Sequence, residues 1–114
     1  MQAVLDFAEG LDVVTFDHEH VPPEILAQLV DRGIAVHPSP DALIHAQDKV
    51  VMRAALSAAG LPCPQWASLA ADADAATTQS VLSEFGERAG WPLILTTSRG
   101  GYDGRGAWVA DPLA

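Results

Sequence analysis

The sequence has little positive charge, one cysteine and no long apolar run. Six lysines and arginines stand against fifteen aspartates and glutamates, so the formal net charge at pH 7 is −9. Because these cations form no cluster that could follow a phosphate backbone, we do not expect nucleic-acid binding. The single cysteine, Cys63, cannot form an internal disulfide, which favours a cytoplasmic protein. No stretch approaches the roughly 20 apolar residues of a membrane span, so no membrane contact is expected.

The rest of the composition is typical of a folded domain, with 49% hydrophobic and 18% charged residues. An acidic protein must bind phosphate groups locally, through backbone N–H groups and a few placed cations. Two of the six cations, Arg99 and Arg105, flank one glycine-rich run. This run is therefore the first candidate for phosphate chemistry.

Residues 12–36 carry the pattern of a strand, a helix and a second strand. The β-branched run at 12–16 predicts a buried strand, and Pro22 and Pro23 suit the opening of a helix. Gly33 is expected to end that helix before a strand at 34–36. Strand, helix and strand at this spacing indicate a parallel sheet. The helix should turn four apolar side chains inward: Ile25, Leu26, Leu29 and Val30.

A second helix is expected to begin after Ser39 as N-cap, with Pro40 in its first turn. Apolar residues at helical spacing continue to Ala58, and Gly60 should end the helix. The remaining predicted elements are a strand at 65–69, a third helix capped by Thr77 or Thr78 and ending at Gly90, a strand at 92–97 and a returning strand from Ala107.

The glycine-rich run from Arg99 to Gly106 holds four glycines in eight residues. Glycine permits positive φ and a close approach to a ligand, and successive N–H groups can bind an anion. Arg105 adds a charged fork for phosphate or carboxylate. The run is not a Walker loop, because the Gly-Lys-Ser/Thr ending is absent and a strand follows. The alternative interpretation is a tight β-hairpin with Asp103 and Gly104 as its turn.

Four polar residues, Asp17, His18, Glu19 and His20, follow the first predicted strand. Parallel α/β sheets bind their ligands at the carboxyl ends of strands. Glu19 could contact a substrate hydroxyl or amine there. The alternatives are a solvated loop and a metal pair of His18 and His20, for which no third ligand is indicated nearby.

Five motifs occur in the order and spacing of one protein family. Together they resemble the 5-(carboxyamino)imidazole ribonucleotide synthases, the ATPase subunits of phosphoribosylaminoimidazole carboxylase, which are ATP-grasp ligases. The resemblance runs over nearly the whole chain, and the glycine-rich motif is its most specific part. The motifs are Thr-Phe-Asp-His-Glu-His-Val-Pro at 15–22, His-Pro-Ser-Pro-x-x-Leu at 37–43, Ala-Gln-Asp-Lys at 46–49, Gly-Leu-Pro-Cys-Pro at 60–64 and Gly-Gly-Tyr-Asp-Gly-Arg-Gly at 100–106.

The resemblance implies an α/β fold, in which the end of a Rossmann-like pre-ATP-grasp domain is followed by the start of an ATP-grasp domain. Residues 1–38 would be the C-terminal part of the first domain, and residues 39–114 the N-terminal part of the second. The chain would then be an internal fragment. We expect it to be inactive alone, because two ATP-grasp subdomains normally sandwich the nucleotide.

The activity that the resemblance implies is an ATP-dependent carbon–nitrogen ligation of de novo purine biosynthesis. Bicarbonate would be joined to the amine of 5-aminoimidazole ribonucleotide, giving 5-(carboxyamino)imidazole ribonucleotide. ATP and Mg²⁺ would be the cofactors, with the metal ligands outside this chain, and the full-length enzyme would be a homodimer. Two other classes stay open: a degenerate nucleotide-binding module, and an interaction segment whose open sheet edge pairs with another chain.

The resemblance also implies roles for individual residues. Lys49, the only lysine, would touch the nucleotide, although its pattern alone favours a solvated helix charge. The loop would cover the phosphates, and Glu19 would bind the ribonucleotide. The full sets are Lys49, Thr96, Gly101, Tyr102, Asp103, Gly104, Arg105 and Gly106 for the cofactor, Glu19, Tyr102 and Arg105 for the substrate, Asp103 and Arg105 for catalysis, and no metal ligand.

One residue departs from the family pattern. The family normally has a lysine just before the glycine loop, in the pattern Leu/Val-Lys-Thr/Arg-x-x-Gly-Gly, and Thr96 occupies that position here. A threonine can donate a hydrogen bond to phosphate but supplies no charge. The loss of one charge-assisted contact could weaken ATP binding by about 1.5–3 kcal/mol.

Overall fold

The computed structural model describes residues 2–101 and 103–112, and the chain divides into two compact units, Met1–Met52 and Arg53–Ala114. Each unit has its own secondary structure. The domain boundary expected between residues 38 and 39 stays a prediction.

The first unit is a βαβ arrangement with extra helices. Strands β1 and β2 pair in parallel, with Val14 opposite Val36, so the predicted strand–helix–strand unit is confirmed. Helix α2 contacts α1, β2 and α3 and so lies at the centre of the unit. The elements are α1 (Gln2–Ala8), β1 (Val13–Thr15), α2 (Pro23–Asp31), β2 (Ala35–His37), α3 (Pro40–Gln47) and the first turn of α4 (Lys49–Ala58).

One apolar cluster forms the core of this unit. Three of the four side chains predicted to face inward from α2 are buried, whereas Val30 is 48% exposed, so its predicted burial is wrong. Val30 is exposed because it lies in the last turn of α2, close to the reversal of the chain at Gly33. The buried cluster consists of Leu5, Ala8, Val14, Ile25, Leu26, Leu29, Val36 and Leu43.

Gly33 ends α2 in the way the sequence predicts. Its φ is 77°, a left-handed conformation that glycine adopts without steric cost. The Ile34 N–H donates to the Leu29 carbonyl at 3.1 Å, which satisfies one of the last carbonyls of the helix. The chain thus reverses at once into β2.

The long helix predicted from Ser39 to Ala58 is wrong, because it is two helices. Its start is confirmed, since the Ser39 hydroxyl accepts the Ala42 N–H at 3.3 Å. The break lies at Asp48, which has extended φ and ψ of −132° and 110°. Its carboxylate accepts the Val50 and Val51 N–H groups at 2.9 and 3.2 Å, so it caps α4. The preference of aspartate for an N-cap has overridden the helical spacing of the apolar residues.

The second unit contains the rest of α4, one long helix and one hairpin. Strands β3 and β4 are antiparallel, with Ile94 opposite Val109 and Thr96 opposite Ala107, which confirms the predicted returning strand. The strand predicted at 65–69 is wrong, since these residues form no regular structure. The two sheets of the described residues are β1 with β2 and β3 with β4, so this segment has no strand with which to form a ladder. The elements are α5 (Ala75–Ala89), β3 (Leu93–Thr96) and β4 (Ala107–Ala110).

Helix α5 begins earlier than the sequence predicts. Asp74 is its N-cap, accepting the Thr77 N–H at 2.7 Å, so the expectation of Thr77 or Thr78 as cap is wrong. Hydrogen bonds from Thr77, first from the side chain and then from the backbone, lower the pKa of Asp74. The predicted end at Gly90 is confirmed. No helix within the described residues is long and apolar enough to cross a membrane.

Candidate functional site

The polar loop after β1 places Glu19 beside two histidines. The His20 N–H donates to His18 Nδ1 at 3.1 Å, and the Val21 N–H donates to the Glu19 carbonyl at 2.9 Å. Glu19 Oε1 lies 3.6 Å from His20 Nε2, with 31% of the Glu19 side chain exposed. A carboxylate that is half-buried but still open to solvent can accept a hydrogen bond from a ligand hydroxyl or amine.

Gln47 joins this loop to the end of α3. Its side-chain Nε2 donates to the Glu19 carbonyl at 2.8 Å and to the Val21 carbonyl at 2.9 Å. The sequence places Gln47 on the inward side of a helix, and no local signal identifies this contact, because it joins residues 28 and 26 positions apart. The loop is therefore fixed by a side chain that sequence reasoning did not select.

Lys49 is the first residue of α4, directly after the capping Asp48. It is half-buried rather than fully solvated. What the sequence analysis missed is that the preceding Asp48 is the N-cap, which places Lys49 at the start of a helix. The backbone N–H groups of that turn and the lysine carry positive charge at the same end of the helix.

The glycine-rich run is the connection between β3 and β4. The Thr97 N–H donates to the Gly106 carbonyl at 2.9 Å, which closes the base of the loop. Asp103 and Gly104 have φ of 50° and 76°, as both central residues of a mirror-image hairpin turn do. The hairpin interpretation is thus correct for the connection, but ten residues, 97–106, join the two strands, so the hairpin is not tight.

Gly106 closes tightly against Thr97. A Cβ atom at Gly106 would lie 2.8 Å from Thr97 Oγ1, and its φ of 75° also favours glycine. Among the described residues, the buried Thr97 hydroxyl has no hydrogen-bond partner. The loop base therefore requires a glycine at 106.

Two charged residues predicted for the site lie at the surface of the loop. Asp103 and Arg105 are exposed, and Thr96, at the end of β3, is exposed as well. Gly101 is half-buried. Tyr102, expected to bind both cofactor and substrate, lies outside the described residues.

The predicted site residues are divided between the two units. Glu19 and Lys49 belong to the first, whereas Thr96 and the glycine-rich loop belong to the second. Within residues 2–101 and 103–112, no group of three or more histidine, cysteine, aspartate or glutamate side chains could hold a metal ion.

A family comparison defines the class of the first unit. Residues 1–47 match the family described as the ribonucleotide synthetase preATP-grasp domain. The match covers the βαβ arrangement, the loop with Glu19 and the helix that ends at Gln47. The predicted α/β fold is therefore confirmed.

Individual relatives are N5-carboxyaminoimidazole ribonucleotide synthases. That of Mycobacterium tuberculosis is 46% identical over 114 residues, which are 100% of this chain and 25% of the relative. That of Synechococcus elongatus is 36% identical over 112 residues, which are 98% of this chain and 27% of the relative. The chain thus spans about a quarter of the length of the curated relatives it matches.

Solved structures give the same result. An Aspergillus clavatus carboxyaminoimidazole ribonucleotide synthase complexed with ATP superposes with a TM-score of 0.79 and 29% identity, covering 97% of this chain and 28% of that one. A second structure from this organism, in complex with ADP and 5-aminoimidazole ribonucleotide, has a TM-score of 0.77 and 26% identity, covering 97% and 27%. The resemblance inferred from the five motifs is confirmed: this chain is a relative of one segment of these synthases.

Proposed function

We propose that this chain is a segment of an ATP-dependent ligase of de novo purine biosynthesis. The ligase would convert 5-aminoimidazole ribonucleotide and bicarbonate to N5-carboxyaminoimidazole ribonucleotide. The observation that carries the proposal is the 46% identity to the Mycobacterium tuberculosis synthase along all 114 residues. Because the chain spans 25% of that relative, we expect it to contribute parts of two binding sites rather than a complete active site.

The glycine-rich loop would hold the phosphates of ATP. Nothing lies within 4 Å of a Cβ position at Gly100 or Gly104, so an anion could come close to the backbone there. The exposed Arg105 guanidinium would neutralise phosphate charge as it develops during transfer. Lys49, at the start of α4, would supply a second cation to the nucleotide.

Side chains of this chain would position 5-aminoimidazole ribonucleotide, the substrate that receives the carboxyl group. The Glu19 carboxylate would accept a hydrogen bond from a hydroxyl or the amine of 5-aminoimidazole ribonucleotide. Asp103 would face the same substrate and could accept a proton as the amine is carboxylated, and Arg105 would pair with the new carboxylate. Tyr102 belongs to the same proposed set. These tasks are mainly positioning and charge neutralisation, as is usual for phosphoryl transfer.

The residues described here do not make a Mg²⁺ site, because no cluster of three or more ligands is present among them. No step through the metal is therefore assigned to this chain. Mg²⁺, bicarbonate binding, dimer formation and a cytoplasmic location remain parts of the proposal for the longer protein.

A second candidate function rests on Thr96. Since the residue before the glycine loop has no charge, the chain could belong to a degenerate ATP-grasp module that binds nucleotide without turnover. Thr96 is exposed at the end of β3, where a lysine could be accommodated. ATP binding without binding of the ribonucleotide would favour this candidate.

The proposal can be tested by titrating the 114-residue chain with each ligand and following backbone amide resonances. We expect ATP to shift residues 97–106 and 5-aminoimidazole ribonucleotide to shift residues 17–21. Arg105→Ala should weaken ATP binding about tenfold, since it removes a charge-assisted contact. The matched control, Arg32→Ala, changes the same charge in the first unit and should have little effect. If neither ligand shifts its predicted loop, the assignment of residues 17–21 and 97–106 as ligand contacts is wrong.

A further inference from the structure

The amide of Gln47 makes two hydrogen bonds to the loop that carries Glu19. Its Nε2 lies 2.8 Å from the Glu19 carbonyl oxygen and 2.9 Å from the Val21 carbonyl oxygen. A side-chain amide has two N–H groups, so each carbonyl can receive one. Both donors are thus used on the same short loop.

These bonds constrain the Glu19 side chain through its peptide group. The Glu19 carbonyl also accepts the Val21 N–H at 2.9 Å, so both of its lone pairs can be occupied. A carbonyl held from two directions fixes its peptide plane. The backbone from which the Glu19 side chain extends is then held in place, which limits the positions that its carboxylate can reach.

Another hydrogen bond of the loop is local. The His20 N–H donates to His18 Nδ1 at 3.1 Å, which shapes the loop but joins residues two positions apart. The two bonds from Gln47 instead join the loop to α3, whose Leu43 is buried in the core. Gln47 therefore attaches the loop to the folded unit.

We propose that Gln47 is a positioning residue for Glu19, which it holds ready for the amine or hydroxyl of an imidazole ribonucleotide. This inference rests on the proposed function, because it takes that ribonucleotide as the ligand of Glu19. The Glu19 side chain is 31% exposed, so a donor on a ligand can reach it. Loss of the Gln47 amide keeps the carboxylate but removes two hydrogen bonds that hold the backbone beside it.

The experiment compares Gln47→Met with Gln79→Met in the 114-residue chain. Methionine keeps the length of the side chain but cannot donate a hydrogen bond. Gln79 is exposed on α5 in the second unit, so its replacement controls for the substitution itself. Gln47→Glu is the second variant, in case Gln47→Met does not fold, since it retains the shape and loses the amide donors.

Three quantities are measured: amide hydrogen exchange at Val21, the thermal midpoint, and the Kd values of 5-aminoimidazole ribonucleotide and ATP. We expect faster exchange at Val21 and a rise of about tenfold in the ribonucleotide Kd for either Gln47 variant. The Kd of ATP should not change. Gln79→Met should leave all three quantities at their original values.

The outcomes separate this inference from the proposed function. Faster exchange at Val21 with an unchanged ribonucleotide Kd would make Gln47 a structural contact only, and unchanged exchange would also overturn the inference. A rise in both Kd values would indicate general loss of structure and would count against positioning. If the original chain binds ATP but not the ribonucleotide, the substrate assignment of Glu19 is wrong, and the inference fails with the proposed function.

Discussion

The loop after β1 and the glycine-rich loop are held in place by different means. The first belongs to a unit with eight buried core residues and is attached to it by the side chain of Gln47. The second connects two strands whose apolar side chains are largely open, with Ile94 and Val109 each 64% exposed. Its base is closed by a backbone hydrogen bond from Thr97 to Gly106.

This difference matches the two ligands that we propose. A loop attached to a buried core keeps a carboxylate at a fixed position for a substrate. A hairpin with few buried contacts opens at low free-energy cost and can adjust to a flexible polyphosphate. We therefore expect the ribonucleotide region to be ordered before ligand binding and the phosphate region to become ordered on binding.

The largest expected effect tests the difference in burial. Leu29→Ala, at a side chain with 0% exposure, should lower the free energy of unfolding by about 2–5 kcal/mol. Ile94→Ala, at 64% exposure in the hairpin, should change it by less than about 0.5 kcal/mol. Urea unfolding of both variants measures this contrast. Equal losses would mean that the hairpin is as well packed as the first unit.

The next effect concerns the charge missing from the phosphate region. In a Mycobacterium tuberculosis synthase whose matching segment is replaced by this chain, Thr96→Lys should strengthen ATP binding by about 1.5–3 kcal/mol, or roughly 10- to 100-fold. Ser98→Lys, at an exposed position two residues away, is the matched control. Calorimetry gives both affinities. An unchanged ATP affinity would show that Thr96 does not occupy the expected phosphate position.

A smaller effect tests whether the backbone alone shapes the glycine-rich loop. Gly106→Ala and Gly104→Ala both force alanine into a positive φ, of 75° and 76°. Only at Gly106 would the new Cβ approach Thr97 Oγ1, at 2.8 Å, whereas nothing lies within 4 Å at Gly104. Gly106→Ala should therefore be the more destabilising by about 1 kcal/mol. Thermal unfolding measures the difference, and adding Thr97→Ala should reduce it.

The smallest effect is expected at the exposed cap of α5. The pKa of Asp74 lies below its usual 3.8 in the folded chain, so its ionised form stabilises the fold at higher pH. That contribution is lost as the pH falls through the folded pKa. Asp74→Asn keeps a capping side chain that does not ionise. The original chain should therefore have the higher free energy of unfolding at neutral pH, and this difference should shrink toward acid pH. Urea unfolding from neutral to acid pH measures this difference, and a difference that stays constant would contradict the stabilising role of the ionised Asp74.

Local sequence signals predicted much of the fold. Ser39 with Pro40, and Gly33 after an apolar stripe, mark element ends through their own backbone chemistry. The break at Asp48 was missed, because the helical spacing of apolar residues continues across it and hides the capping aspartate. Asp74 was missed for a related reason, since several residues near it can also cap a helix.

The candidate site was predictable to a smaller extent. Glycine spacing located the loop between β3 and β4, and the position after a parallel strand located Glu19. The contact of Gln47 with that loop depends on where the end of α3 lies relative to the loop after β1, which no local sequence pattern determines. Residues that act through distant hydrogen bonds are therefore the ones that the sequence alone conceals.

The most direct measurement is the carboxylation of 5-aminoimidazole ribonucleotide by the chimeric Mycobacterium tuberculosis synthase that carries this chain, with and without Thr96→Lys. We expect ATP-dependent product formation that Thr96→Lys increases, and no phosphate release from ATP by the 114-residue chain alone. A chimera that folds and binds ATP but forms no product in either version would contradict the ligase proposal and favour a degenerate nucleotide-binding module.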